Sequence, residues 1–142
     1  MAGFRQIHVS IWQDEWFLDL APDEKLLFIY FFSNQATSIS GLYKLALKVI
    51  SFETGLSLDQ IKEILDKFHH AGKVHYQDGV IWVVNMRKYH SSKSETVITH
   101  MKNDLALIPD CLLKTAYQQS QNGSDKVSIS YTYDIKLTSA CQ

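Results

Sequence analysis

The chain has 142 residues and is 46% hydrophobic, so it is long enough for one compact domain followed by a tail. Its 14 basic and 15 acidic residues give a net charge of −1, unlike the clearly basic composition of most free-standing nucleic-acid binders. The charge is uneven, because residues 40–102 contain nine lysines and arginines against six acids. Any nucleic-acid surface is therefore expected in the middle of the chain.

The N-terminal region combines aromatic and acidic side chains over residues 4–20. We expect an extended arm and a short helix over 13–18. Trp12 and Trp16 are expected to cover the edge of the core or, alternatively, to form a contact patch for another subunit. The next segment begins with Pro22, which suits the first position of a helix, and is then apolar on every side. It predicts a buried central helix over 22–33.

A short strand over 40–43 and a helix over 45–54 are expected next. Leu45, Val49 and Phe52 share one side of that helix and are predicted to face the core. Ser57 and Gln60 have the spacing of a capping box, which begins a helix that runs to about residue 71. The predicted inward stripe of this helix consists of Leu58, Ile61, Ile64, Leu65 and Phe68.

The turn signal with the clearest meaning is Asp78-Gly79, which predicts a hairpin of strands over 74–76 and 80–84. Trp82 has apolar neighbours on both sides in the second strand, so we expect it in the core.

The C-terminal part of the chain predicts two helices and a tail. One helix begins at a second capping box, at 92–95, and the other spans 110–119. Residues 127–137 alternate between apolar and polar side chains, which is the period of a strand. Such a strand is expected to pair with the hairpin, to pair with another chain, or to serve as a linker.

These elements predict a mainly α fold with a small β-hairpin, in the α+β class. The order helix, strand, helix, helix, strand, turn, strand is that of a winged helix-turn-helix, here with extra C-terminal helices. We expect a winged-helix domain over 1–120, with its core at 22–89 and a helical extension at 92–119. Residues 121–142 are expected to form a linker or a strand-prone tail.

Five short segments together resemble a known family. They are Ile11-Trp12, Leu20-Ala21-Pro22, Ser40-Gly41-Leu42-Tyr43, Phe52-Glu53-Thr54-Gly55 and Trp82-Val83-Val84-Asn85. Over about residues 5–120 the chain resembles the N-terminal winged-helix domain of phage replisome organisers and DnaD-like replication initiation proteins. The resemblance implies origin-DNA binding, self-association, and help in bringing the replicative helicase and its loader to the origin. It also implies a second, C-terminal domain after a polar linker. The end of this chain is then a fragment boundary, a truncation, or a tail with its own role.

The second helix of a helix-turn-helix usually enters the major groove, but here its outward face is acidic. Asp59, Glu63 and Asp66 lie opposite the inward stripe, together with His70. A carboxylate beside a phosphate costs on the order of 1 kcal/mol in water. The simpler interpretation is a solvated helix face in which Glu63 pairs with Lys67 and Asp66 with a lysine one turn earlier. We therefore expect DNA contacts at the helix start, its lysine flanks and the hairpin, with weak sequence preference.

Two sets of candidate site residues follow, with ordinary surface lysines as the alternative interpretation of the first. The candidate DNA-binding residues are Lys44, Lys48, Ser57, Gln60, Lys62, Lys67, Lys73, His75, Gln77, Arg87 and Lys88. The candidate protein-interaction residues are Trp12, Trp16, Asp59, Glu63 and Asp66.

No catalytic or cofactor motif is recognisable, so we expect neither an enzyme nor a cofactor. The six histidines lack the spacing of a metal site, and Cys111 and Cys141 form no redox motif and fit a reducing cytoplasm. No segment predicts a membrane partner. The sequence predicts a DNA-binding and assembly module of a phage replication initiation protein, with origin-type double-stranded DNA and other replication proteins as partners. The alternatives are a protein-interaction or oligomerisation module without DNA binding, and a transcriptional regulator.

Overall fold

A computed structural model describes residues 3–38, 40–84, 86, 95–109 and 111–121. This part of the chain is mainly helical and contains one small antiparallel sheet, as predicted for the α+β class. A 3-10 helix over Val9–Gln13 comes first. The α-helices are α1 (Glu15–Leu18), α2 (Pro22–Ser33), α3 (Leu47–Thr54), α4 (Leu58–His70), α5 (Glu95–Ala106) and α6 (Leu112–Gln121). The strands are β1 (Leu42–Lys44), β2 (Val74–Gln77) and β3 (Val80–Val83). The predicted strand over 127–137 and the residues Arg87 and Lys88 lie outside the described residues.

Polar side chains fix the starts of the helices near the candidate surfaces. The predicted capping box of α4 is confirmed: the Gln60 N–H donates to Ser57 Oγ at 3.2 Å, and the Ser57 N–H donates to Gln60 Oε1 at 3.0 Å. Glu24 accepts from the Ala21 N–H at 2.8 Å and closes the start of α2 in the same way. Each cap satisfies donors that a helix start leaves without an intrahelical partner.

The turn between α3 and α4 is three residues long and is held by hydrogen bonds. Gly55 ends α3 at φ 80°, a left-handed conformation that glycine adopts without a steric penalty. The Ser51 hydroxyl donates to the Leu56 carbonyl at 2.6 Å, and the Leu56 N–H donates to the Thr54 hydroxyl at 3.2 Å. The turn therefore sets the angle between the two helices through its own contacts.

The sheet has the order β1-β3-β2, with both neighbouring pairs antiparallel. Trp82 of β3 lies opposite Leu42 of β1 on one side and His75 of β2 on the other. Gly41 precedes β1 at φ 83°, and its carbonyl accepts from the Val83 N–H at 2.8 Å. A Cβ atom at this position would lie 2.6 Å from the Val83 carbonyl oxygen, so the approach requires glycine.

Both faces of the sheet are covered, and each face has its own core cluster. The inner face packs Tyr43, Tyr76 and Ile81 against α2, α3 and α4. The outer face packs Leu42, Val80 and Trp82 against α6 and the segment before it, including Ile108, Leu113, Ala116 and Tyr117. Trp82 is 4% exposed, which confirms its predicted place in the core. All four residues of β3 are buried because helices lie on both of its sides.

Three predicted core positions are wrong. Val49 is 43% exposed and Phe52 is 90% exposed, because α3 begins at Leu47 and buries Leu47 and Ile50 in place of the predicted stripe. Ala46 is extended, so the helical period starts later than the sequence suggests. Leu58, at the first position of α4, is 38% exposed. The rest of the predicted stripe of α4, from Ile61 to Phe68, is buried as expected.

Helix α2 is largely buried, as its apolar sequence predicts. Leu27, Phe28, Phe31 and Phe32 belong to the inner core, and only its solvent side leaves an apolar residue, Leu26, half-exposed. No helix within the described residues is long and apolar enough to cross a membrane.

Candidate nucleic-acid and protein-contact surfaces

The outward face of α4 carries the predicted acidic residues. Asp59, Glu63 and Asp66 are all exposed, and we call these three residues the acidic stripe. His70 lies at the end of the same face, where its Nδ1 is 2.8 Å from the Asp66 carbonyl oxygen and 3.6 Å from Asp66 Oδ1. The middle of this face therefore offers carboxylates, which repel phosphate.

The spacing of Glu63 and Lys67 along α4 predicted an ion pair, but Lys67 binds a different carboxylate. Its ammonium lies 3.0 Å from both carboxylate oxygens of Glu24, 43 residues earlier at the start of α2. Partial burial alone would raise the pKa of Glu24, but the hydrogen bond from the Ala21 N–H and the Lys67 charge outweigh it, so the pKa is lowered. Lys67 therefore joins α4 to α2 and is not free to neutralise a phosphate.

The fold brings Lys73, which lies between α4 and β2, next to Trp16 of α1. The Lys73 ammonium lies 5.1 Å from the centre of the Trp16 ring, a cation–π distance. The Trp16 ring meets Phe28 and Phe68 edge-on, with ring centres 5.1 and 5.5 Å apart. Trp16 thus covers the edge of the inner core, which was the first of the two alternatives predicted for it. Lys73 in turn lies over Trp16.

Trp12 has a different environment. It is 56% exposed, and its ring meets that of Phe17 edge-on at a centre-to-centre distance of 5.3 Å. Of the two candidate tryptophans, Trp12 is the one whose surface is open to a partner.

The sequence predicted that His75 contacts DNA, but this residue is buried and cannot reach a phosphate. It is 6% exposed on the outer face of the sheet, and its ring lies 5.5 Å from that of Trp82. Its Nδ1 is 2.7 Å from Nδ1 of His69, at the end of α4. Burial, and then the neighbouring His69, lower the pKa of His75 to about 4. Burial also lowers the pKa of His69, so both rings are neutral near pH 7.

The sequence did not predict this histidine pair, although the signal was present. The turn between α4 and β2 is short, so the last turn of the helix must lie beside the first residues of the strand. Within the described residues, no group of three or more His, Cys, Asp or Glu side chains is placed to hold a metal ion. Gln77, two residues after His75, is half-buried, and its Oε1 has no hydrogen-bond partner in that part of the chain.

Among the candidate DNA-binding residues, Lys44, Lys48, Ser57, Gln60 and Lys67 are exposed, and Lys62 and Lys73 are half-buried. Lys67 is paired with Glu24 and Lys73 lies over Trp16, so Lys44, Lys48, Ser57, Gln60 and Lys62 remain for a DNA contact. Ser57 and Gln60 are exposed, but the side-chain oxygen of each already accepts a hydrogen bond in the cap of α4. Lys44 and Lys48 are exposed on β1 and α3, and Lys62 is half-buried on the flank of α4. The accessible positive charge therefore lies mainly beside α4 and not on its outward face.

The exposed side of α3 carries a residue that sequence reasoning assigned to the core. Phe52 follows Lys48 by one helical turn and Val49 by three residues, so the three side chains share one side of the helix. With Lys44 they form a continuous strip, since Lys44 and Val49 line the same groove. We call Lys44, Lys48, Val49 and Phe52 the α3 strip. A correct helix start at residue 47 would have placed Phe52 outside.

No protein-family model, curated protein sequence or solved structure matches this chain at a significant level.

Proposed function

We propose that the chain is a winged helix-turn-helix that serves as the DNA-binding and assembly module of a replication initiation protein of the replisome-organiser type. The observation that supports it most is the order α2-β1-α3-α4-β2-β3 combined with the three-residue turn between α3 and α4. The sheet order β1-β3-β2, with a tight β2–β3 hairpin, agrees with that architecture. The resemblance in sequence supplies the replication role, and the cysteine usage supports a cytoplasmic location.

The proposed DNA contact is electrostatic and lies beside α4. Lys44 and Lys48 are exposed, and Lys62 adds a charge on the flank of α4. Three phosphate contacts give a slope of about −2.7 for the logarithm of affinity against the logarithm of salt concentration. The acidic stripe keeps the middle of α4 from the phosphates, so base-specific contacts are confined to the exposed start of the helix at Ser57 and Gln60.

Binding of a fluorescent origin-type duplex, measured by anisotropy over a salt series, tests this function. We expect micromolar affinity at low salt and a slope near −2.7, falling toward zero in the Lys44→Ala, Lys48→Ala, Lys62→Ala variant. Lys25→Ala is the matched control, because its ammonium lies 6.0 Å from the centre of the Phe17 ring and Lys25 is not one of the three proposed contacts. Equal slopes for the wild type and the triple variant would refute the proposed contact.

A second candidate function is protein contact without DNA. The exposed acidic stripe and the half-exposed Trp12 favour it, because both are accessible and neither suits a phosphate backbone. The partners by resemblance are a helicase, its loader, or a second copy of the chain. Sedimentation of the chain and of Trp12→Ala distinguishes self-association: loss of a concentration-dependent oligomer in Trp12→Ala supports it, and a monomer at every concentration excludes it.

A further inference from the structure

Phe52 is the most exposed large apolar side chain among the described residues, at 90%. A single exposed phenylalanine is common on protein surfaces and by itself indicates nothing. This one is part of the α3 strip. Lys48 precedes it by four residues, which places the two Cβ atoms about 5–6 Å apart on the helix surface. Glu53, the nearest acid in sequence, keeps its negative charge, but its carboxylate is held at α2, where it accepts from the Tyr30 hydroxyl at 2.5 Å.

The α3 strip continues into a groove. Lys44 and Val49 line this groove together with mostly apolar neighbours, among them Leu45, Val80 and Pro109. Asp78 is the only acid among the lining residues. Val49 shares its side of α3 with Lys48 and Phe52, so the strip combines an exposed aromatic ring and two lysines beside a largely apolar groove.

We propose that this surface binds single-stranded DNA, with a base stacked on Phe52 and the flanking phosphates held by Lys44 and Lys48. The proposal rests on the proposed DNA-binding function and adds the form of DNA that this surface takes. An aromatic ring gains from DNA mainly by stacking on a base, and the stacking faces of bases are covered by their neighbours in a duplex. A positively charged groove with an aromatic platform is the arrangement that binds unpaired strands.

A single strand can use more of this surface than a duplex can. It presents a phosphate backbone and an unstacked base together, so it can meet the lysines and the Phe52 ring at once, whereas a duplex can meet only the lysines. The affinity for a single strand should depend on salt with a slope of about −1.4 from the two lysines.

The test compares one labelled oligothymidine of about 12 nucleotides with a duplex of equal length, a size within the range of known single-strand sites. The variants are Phe52→Leu, Phe52→Trp and Val9→Ala. Leucine keeps the apolar contact and removes the stacking face, and tryptophan keeps both. Val9→Ala, outside the α3 strip, is the control for a general loss of exposed apolar area. Because Phe52 is 90% and Val9 85% exposed, all variants should retain the thermal unfolding temperature of the wild type.

We expect Phe52→Leu to weaken oligothymidine binding by about tenfold, with Phe52→Trp at or above wild-type affinity and Val9→Ala within about twofold. Duplex affinity should change less than twofold in all three. Oligothymidine affinity unchanged in Phe52→Leu would overturn the proposal, as would an equal loss for oligothymidine and duplex. A change in sedimentation with no change in DNA binding would also overturn it and assign Phe52 to a protein partner. Phe52-dependent single-strand binding with no duplex binding would support it while refuting the duplex function.

Discussion

Helices α3 and α4 share one core but present opposite chemistry to solvent. Both bury aliphatic side chains on their inner sides, with Ile50 from α3 and Ile61 and Leu65 from α4 fully buried. On their outer sides, α3 exposes Lys48 and Phe52, whereas α4 exposes the acidic stripe. The two helices are joined by only three residues, so the change of sign occurs over one tight turn.

Under the proposed function, this contrast means that the place of a helix in the fold does not by itself make it the DNA contact. The second helix of a helix-turn-helix is expected to enter the major groove, but carboxylates near phosphate are unfavourable wherever they lie. The charges on α4 suit a position beside the proposed DNA or against a basic protein surface. The lysines and the open ring of α3 are the features suited to nucleic acid.

The largest expected effect is on the free energy of unfolding, which should fall when a residue on the inner side of a helix is changed but not when one on the outer side is changed. Phe68 of α4 is fully buried, so Phe68→Ala should lower the free energy of unfolding by about 3–5 kcal/mol. Phe52→Ala on the outer side of α3 should change it by less than about 0.5 kcal/mol. Urea denaturation measures both. A loss above about 2 kcal/mol for Phe52→Ala would place Phe52 in a core and remove the contrast.

Acidification should destabilise the fold through the pair of His69, at the end of α4, and His75 on β2. The pKa values of His69 and His75 are lowered in the folded chain, chiefly by burial, so the unfolded chain binds more protons. Stability should be fully present above the ordinary histidine pKa of about 6.5 and decline as the pH falls toward 4, by about 1–3 kcal/mol. Urea denaturation at pH 7 and pH 4.5 measures the decline.

The matched control for this pH dependence is a histidine outside the pair. His75→Gln removes the buried ring of the pair, so its stability should fall less between pH 7 and pH 4.5 than that of the wild type. His8→Gln changes an exposed histidine near the N-terminus and leaves the pair and its neighbours intact, so its decline should match the wild type. An identical decline in His75→Gln and the wild type would mean that other groups cause it.

A smaller effect concerns the lysines on the two flanks of α4. Lys67 is paired with Glu24, so Lys67→Ala should change duplex affinity by less than about twofold. Lys62 has no ion-pair partner among the described residues, and Lys62→Ala should weaken the duplex by about threefold to tenfold at low salt. Anisotropy titrations measure both. Equal losses would show that the Glu24 pair opens when DNA binds.

The sequence allowed prediction of those features that depend on local signals. The capping box at Ser57, the turn at Asp78-Gly79 and the α4 stripe from Ile61 to Phe68 were all predicted correctly, because each is set by residues within about one or two turns. The acidic stripe was predicted for the same reason.

Features that depend on distant contacts were missed. Lys67 pairs with Glu24, 43 residues away, and Lys73 lies over Trp16, so neither partner follows from helix spacing. His75 was expected at the surface because it lies near the hairpin turn, but α6 covers the outer face of the sheet. Phe52 was assigned to the core because the stripe was aligned on Leu45, which precedes the helix. Counted from the buried Leu47, Phe52 lies about 140° around the helix.

The most direct test of the central claim changes the charge of the α3 strip and, separately, that of the acidic stripe on α4. The affinity for one duplex is then measured for each variant. Lys44→Gln with Lys48→Gln removes positive charge beside α4, and Asp59→Asn with Asp66→Asn removes negative charge from its outward face. With DNA beside α4, we predict that the lysine variant weakens binding by about tenfold or more, whereas the acid variant strengthens it by only about twofold to fivefold. An unchanged affinity in the lysine variant, together with a loss in the acid variant, would contradict the claim and place DNA on the outward face of α4.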